Sequence, residues 1–467
     1  MLYLRMFQAK LNEENFNAFW ALKSRLSERL QPLLRPALQA PASVLSAAPE
    51  DLRKSNVVRR SLSAPDTLVL DGEIFTDRRM LIVLTVTPGR QRKPAHSRLG
   101  TVVQEEEGQL SYQLRIAAIG QSWESETLTY VLSATQETLG TQLAPYWLSS
   151  ERFNELRAEG REPAPEPSRQ ELRAAELLQD RVARTLTLAI KASGGLLVRD
   201  LLKQVSADAH DRIEGLTDNL KDTRIIESEI VVVCTKTHGQ ITRSPSREVI
   251  NELSEKGIKC ACGKPLNEER MEEALTITEL GRSMLDKSHW LTILLVEELC
   301  AVGLTRDAVL LEYSPVDDGV NCIANISGEV TLFDLTEREF NLGDAYSMGA
   351  KIGVVRPQHP VIVTTERVGS DAKEHFVRAR LTGAAKEFDD PLMSRSDEPR
   401  ERGEITYVEG VENLHPVVER VASGIYQKDA IQCLNSVLSL AAFDGASLLR
   451  ALEGVVNAEE SRALNAA

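Results

Sequence analysis

A chain of 467 residues with 42% apolar and 27% charged side chains is long enough for about two to four domains, each with its own core. Its net charge of −14 excludes a protein that coats nucleic acid with its whole surface, because phosphate contacts need a basic footprint. No apolar run reaches the roughly eighteen residues of a membrane span, and the opening MLYLRMFQAKLNEENF lacks the apolar stretch and small-residue cleavage site of a signal peptide. A cytoplasmic protein with no membrane partner is the expectation. Six cysteines do not make a disulfide scaffold in a chain of this size; three of them fall between 234 and 262, a clustering that points to metal binding in a reducing compartment.

Residues 12–38 show helical periodicity, with Phe16, Phe19, Trp20, Leu22, Leu26, Leu30 and Leu34 as an apolar stripe and Pro32 and Pro36 bending or ending it. From Thr67 to Ser133 the pattern shifts to short β-rich runs separated by turn residues, so 1–156 reads as an α+β domain. Its Pro/Gly-flanked loop carries Arg90, Arg92, Lys93, His96 and Arg98, a basic patch suited to phosphate contact or to a solvated surface. The stretch 157–168 (RAEGREPAPEPS) reads as a linker, since Pro and charge together build no core.

Helices are expected over Gln170–Ala192, Leu197–Val205 and Ala209–Lys221, then a strand from Glu227 to Cys234 and a return strand from Gln240 to Arg243. Three helices followed by a hairpin resemble a winged helix-turn-helix, a module that binds duplex DNA or docks proteins, here spanning 169–245. The third helix, AHDRIEGLTDNLK, is acidic on balance, which disfavours major-groove reading. Lys236, His238, Arg243 and Arg247 form a second basic group with the same two readings as the first.

Cys234-x3-His238, followed after a helix-length insert by Cys260-Ala-Cys262-Gly263, offers two ligand pairs on turns, which suits tetrahedral zinc. The CxCG turn resembles a zinc-ribbon knuckle, where Gly frees backbone amides to point at thiolate sulfur. Four ligands would close the site and make the zinc structural. The module is expected over 246–286, together with Cys234 and His238; its segment 267–285 reads as a helix.

A strongly apolar helix, Trp290–Val302, carries Glu297 and Glu298; strands follow over Ala308–Tyr313, Val320–Ile326 and Glu329–Leu335, the last two joined by a tight Ser327-Gly328 turn. A helix at Asp344–Gly353 and a strand at His359–Thr365 complete an αβββαβ order. This order resembles the core of restriction-endonuclease-like folds, the PD-(D/E)XK superfamily, over about 287–385. The resemblance implies that the hairpin would hold two carboxylates on a divalent metal and a Lys beside the attacking water. Asp334 stands at the (D/E) position, whereas Asn321 replaces the first Asp and Thr336 replaces the Lys. Glu298 on the preceding helix is a further candidate near the metal. Losing two charged groups leaves a site expected to be silent, with Mg2+ or Mn2+ needed only if activity survives through migrated residues such as Asp317 or Asp318 and Arg338.

The acidic segment 386–412 reads as flexible, and 413–467 as an amphipathic helical tail able to pack on its own chain or a partner. The whole is an α+β multidomain chain that resembles accessory subunits of prokaryotic restriction and antiviral systems. It is expected to bind nucleic acid, DNA before RNA, or a protein partner or second copy. An active DNA endonuclease and a pure assembly scaffold are the alternatives.

Overall fold

The computed structural model describes residues 2–33, 71–77, 79–88, 112–120, 125–146, 148–205, 207–313, 320–387, 404–438, 446 and 448–450. It is a mixed α+β protein with three sheets, in two compact units. One unit is Met1–Ser149, Ile326–Gly328 and Glu419–Ala467; the other is Ser150–Asn325 and Glu329–Val418. None of the described helices is long and apolar enough to cross a membrane.

The first unit is built on an antiparallel sheet of six strands: β1 (Tyr3–Leu11), β2 (Gln31–Pro32), β3 (Asp71–Thr76), β4 (Met80–Pro88), β5 (Tyr112–Gly120) and β6 (Ala144–Tyr146), in the order β2-β3-β4-β5-β1-β6. Helices α1 (Glu13–Leu26) and α2 (Glu126–Leu139) cover one face, burying Phe19, Leu22 and Leu26 against Ile82, Leu84 and Ile116. Helix α1 is shorter than the 12–38 its periodicity predicts, because Gln31–Pro32 leaves to pair with β3. Trp20, expected in the apolar stripe, is 59% exposed: it lies one residue, about 100° of helix, off the line through Phe19 and Leu22. Val437, from the end of the tail helix Leu414–Leu438, packs on Gly72 of the same unit.

The second unit opens with α3 (Glu151–Ala158) and β7 (Glu162–Pro163). The stretch 157–168, expected to be a linker, therefore holds a strand: β7 pairs with β12 (Val309–Tyr313) at a sheet edge, where the missing N–H of Pro163 breaks no ladder. Helix α4 (Arg169–Leu178) starts on a Ser168/Glu171 capping box. The helix expected over Gln170–Ala192 breaks at Asp180, whose carboxylate accepts from the Val182 and Ala183 amides and starts α5 (Arg181–Ser193). After β8 (Leu196–Leu197), a 3-10 turn at Val198–Lys203 stands where a helix was expected. Next come α6 (Ile213–Asp222), β9 (Ile226–Val233), β10 (Gln240–Ser244), α7 (Arg247–Glu255), β11 (Arg270–Ile277) and α8 (Glu279–Leu285). The strands form a sheet in the order β10-β9-β11-β8.

Strand β11 departs from the helix expected over 267–285. Met271 to Leu275 are good helix formers, but eight residues pair in register with β9, from Arg270↔Val233 to Ile277↔Ile226. Helix then begins at Thr278, whose hydroxyl accepts from the Gly281 amide. Gly281 is placed so that a Cβ would come 2.2 Å from the Ile225 carbonyl oxygen. Because backbone cannot swing aside, Gly281→Ala is expected to cost about 3 kcal/mol, the upper range of overpacking penalties. Urea denaturation checks this; an unchanged midpoint would show that the contact relaxes freely.

The third sheet runs β16-β15-β14-β13-β12-β7. Helix α9 (His289–Ala301), buried from Trp290 through Val296, precedes β12; β13 (Val320–Ile326) and β14 (Glu329–Thr336) follow, then α10 (Leu342–Val355), β15 (His359–Thr364), α11 (Ser370–Glu387) and β16 (Thr406–Glu409). The two-residue turn between β13 and β14 has positive φ at both Ser327 and Gly328, the twist a tight hairpin needs. Strand β12 is antiparallel to β13, whereas β14, β15 and β16 run parallel. Part of the segment expected to be flexible, 386–412, is thus the edge strand β16, and 388–403 lie outside the described residues.

Candidate functional site

Two polar groupings stand out in the second unit. The first lies where the β9–β11 ladder ends. Because Val233 pairs with Arg270, the next residues out, Cys234 and Glu269, face each other at the mouth of the excursion 235–268. Two tight turns bring the other cysteines there. His238 N–H donates to Cys234 O at 2.9 Å in one; in the other, Cys260 N–H donates to Lys264 O and Gly263 N–H to Cys260 O, both at 2.8 Å. The sulfurs of Cys234, Cys260 and Cys262 and a carboxylate oxygen of Glu269 all lie within 4.8 Å of one another.

These donors can hold a metal ion. Thiolate and carboxylate are zinc ligands, and a tetrahedral zinc with bonds of about 2.3 Å would set its donors about 3.8 Å apart, so closing on an ion takes less than about 1 Å of movement. Cys234, Cys260 and Glu269 are buried. The Thr237 amide donates to Cys234 Sγ at 3.4 Å and the Thr235 amide to Glu269 Oε2 at 2.7 Å, which orients both donors before any ion arrives. Thr237, through its hydroxyl and amide, draws the Cys234 thiol down to about 7. The Cys262 thiol donates to Glu269 Oε1 at 2.9 Å. That hydrogen bond pulls the Glu269 carboxyl down to about 2 and pushes the Cys262 thiol up to about 12.

Of the four ligands expected from spacing, the structure gathers Cys234, Cys260 and Cys262 and leaves out His238, which is exposed on a left-handed φ of 57° in the first turn. Glu269 takes the fourth place. Sequence reading passed over it because a helix was assigned there; the signal available was the strand pairing, which puts 269 opposite 234.

The second grouping is a polar row across the third sheet. Glu312 of β12 pairs in register with Asn321 of β13, and the two-residue hairpin turn sets Asn321 opposite Asp334 of β14. Asn321 and Asp334 are 4% and 6% exposed. Lys351 reaches in from α10 and its Nζ lies 2.9 Å from Asp334 Oδ1. Arg161 lies 2.9 Å from Glu312 Oε1 on the other flank. Asn321 Nδ2 donates to Glu312 Oε2 at 3.1 Å, and Asn321 Oδ1 is buried without a hydrogen-bond partner among the described residues. The cation beside Asp334 is thus carried by a helix. Nothing in the strand pattern signals Lys351, because it sits 17 residues after Asp334 on another element.

No family model, curated protein or solved structure matches the chain.

The remaining candidates fall elsewhere. Glu298 is bound to His415, with 2.6 Å between Oε2 and Nδ1. Arg338 is held by both carboxylate oxygens of Asp344, at 2.6 and 2.7 Å. Asp317, Asp318, Arg90, Arg92, Lys93, His96 and Arg98 lie outside the described residues. Lys236 and Arg247 are exposed, whereas the Arg243 guanidinium is spent on the Gly194 carbonyl at 2.7 Å. Sequence reading also passed over Glu337, which accepts from the Trp290 indole at 2.6 Å and whose carboxyl is pushed up by burial against that hydrogen bond.

Proposed function

We propose that this chain is a non-catalytic, nuclease-like subunit that binds nucleic acid, duplex DNA before RNA, and works in a cytoplasmic complex of the restriction or antiviral kind, with one structural zinc on Cys234, Cys260, Cys262 and Glu269. The order α9-β12-β13-β14-α10-β15, with an antiparallel meander and a parallel fourth strand, supports the nuclease-like reading. Support for a winged-helix-like module comes from α5, α6 and the β8-β11-β9 strands.

The observation that carries the non-catalytic reading is the charge of the polar row. Each carboxylate beside Asn321 faces a cation, Lys351 on Asp334 and, on Glu312, Arg161, which Glu312 shares with Glu159; Asn321 adds no charge. A divalent ion needs uncompensated carboxylates to repay its dehydration, and Asp334, the buried carboxylate of the row, already faces Lys351.

Incubation of purified protein with plasmid and Mg2+ or Mn2+ tests this: the DNA is expected to stay intact. Cleavage that vanishes in Asp334→Asn would overturn the reading. A gel-shift titration at two salt concentrations tests the binding claim. Binding should weaken steeply with salt, and absent or salt-insensitive binding would leave only an assembly scaffold.

A further inference from the structure

We propose that the two turns of the metal-binding tip grip the phosphate backbone of a duplex, through Lys236, Lys259 and Lys264, and that the outward face of α6 does not enter a groove. This rests on the nucleic-acid-binding reading above and names the surface that would serve it.

Each lysine has a fixed place relative to a sulfur: Lys236 two residues after Cys234, Lys259 just before Cys260, and Lys264 two residues after Cys262. Since the turns are closed by backbone hydrogen bonds and their sulfurs converge, the backbones that carry the three lysines belong to one tip. All three lysines are exposed and none forms an ion pair with a described residue. The Lys264 ammonium reaches the Thr235 hydroxyl at 3.4 Å, which brings the second turn onto the first. Residues 235–239 and 258–268 contain one carboxylate, Glu268.

Arg224, Arg282 and Arg356 of the second unit are also exposed without an ion pair among the described residues, so what sets the tip apart is that it gathers three such cations on two joined turns. Lys221, Arg306, Arg338 and Lys351 are each paired with a carboxylate, as expected in a chain of net charge −14. Helix α6 exposes Glu214, Asp218 and Asp222, and Arg212 at its start is bound to Asp180. Carboxylates on that face repel phosphate, whereas unpaired lysines on a preordered tip attract it without first breaking an ion pair.

The same lysines have a competing role to be told apart from this one. Three thiolates and a carboxylate around a dication leave two negative charges, which neighbouring ammonium groups would offset. The two roles separate experimentally.

The zinc-loaded full chain is titrated into a short fluorescent DNA duplex, with anisotropy read at several salt concentrations and zinc content measured in parallel. Lys236→Gln/Lys259→Gln/Lys264→Gln is expected to weaken binding at least about tenfold at low salt and to reduce the slope of log K against log salt by about 2.7, roughly 0.9 per phosphate. Its zinc content should equal that of the wild type, and Glu214→Gln/Asp218→Asn in α6 should leave affinity equal or higher. Unchanged affinity and slope in the triple variant, with wild-type binding intact, would overturn this assignment and leave the functional reading standing. Loss of zinc from the triple variant would overturn it in favour of charge balance. A wild-type chain that ignores duplex DNA, or prefers anionic lipid vesicles, would overturn both.

Discussion

Stripping zinc from the loaded protein is expected to loosen the turn 235–239 and the stretch 245–268, with β10 still paired to β9, while the β12–β16 sheet keeps its fold. Apart from the pairing of β10 with β9, the excursion has little to hold it: its apolar cluster has Val232, Ile250 and Leu266 fully buried, with Ile230, Ile241, Leu253 and Met271 half-covered. Three buried side chains fall well short of the core a module of this size needs, and a structural metal commonly makes up such a deficit. Hydrogen exchange after chelation should therefore rise sharply across 235–239 and 245–268 and little in β10, β13 and β14. Ligand variants discriminate the fourth donor. Glu269→Gln keeps the acceptor for the Thr235 amide but removes the charge, and should weaken zinc by more than about 100-fold, beyond what an outer-shell partner is worth. His238→Ala should change it by less than about tenfold. The reverse ranking would restore the C-x3-H pair and remove Glu269 from the site.

What the sequence revealed follows from how local each signal is. The β13–β14 hairpin was legible because two apolar runs flank a Ser-Gly turn, and α9 because its apolar run is too long for a strand. The three cysteines were legible from spacing alone. Glu269 was hidden because Met271–Leu275 has helical composition, and only pairing with Ile226–Val233 makes it a strand. His238 was attractive by spacing, yet the turn that hydrogen-bonds its amide to the Cys234 carbonyl leaves its ring exposed. The same blindness to distant pairing made 157–168 look like a linker, when Glu162–Pro163 extends the sheet beside β12. Lys351 belongs to this class too: its partner Asp334 is set by how α10 lies on the sheet, which no local pattern encodes.

That pair is also where a single substitution should do most damage. Asp334→Ala is expected to destabilise the protein by about 3–5 kcal/mol, because it leaves the Lys351 ammonium, 16% exposed, without its carboxylate in a low-dielectric setting. Replacing both partners, Asp334→Leu with Lys351→Met, should recover most of the loss, since an apolar pair of similar volume owes no desolvation cost. Urea denaturation of the wild type, both single variants and the double variant gives the coupling energy directly. A coupling near zero would mean that Lys351 does not neutralise Asp334, and the row would then have a free carboxylate for a metal. The same logic gives a gain-of-function arm. Asn321→Asp puts a second carboxylate opposite Asp334, so the row gains the uncompensated charge it lacks; stability should fall without metal and recover on adding Mn2+. Wild-type protein should show no such recovery. If it does, the native row already binds a divalent ion, and the non-catalytic reading fails at its central premise.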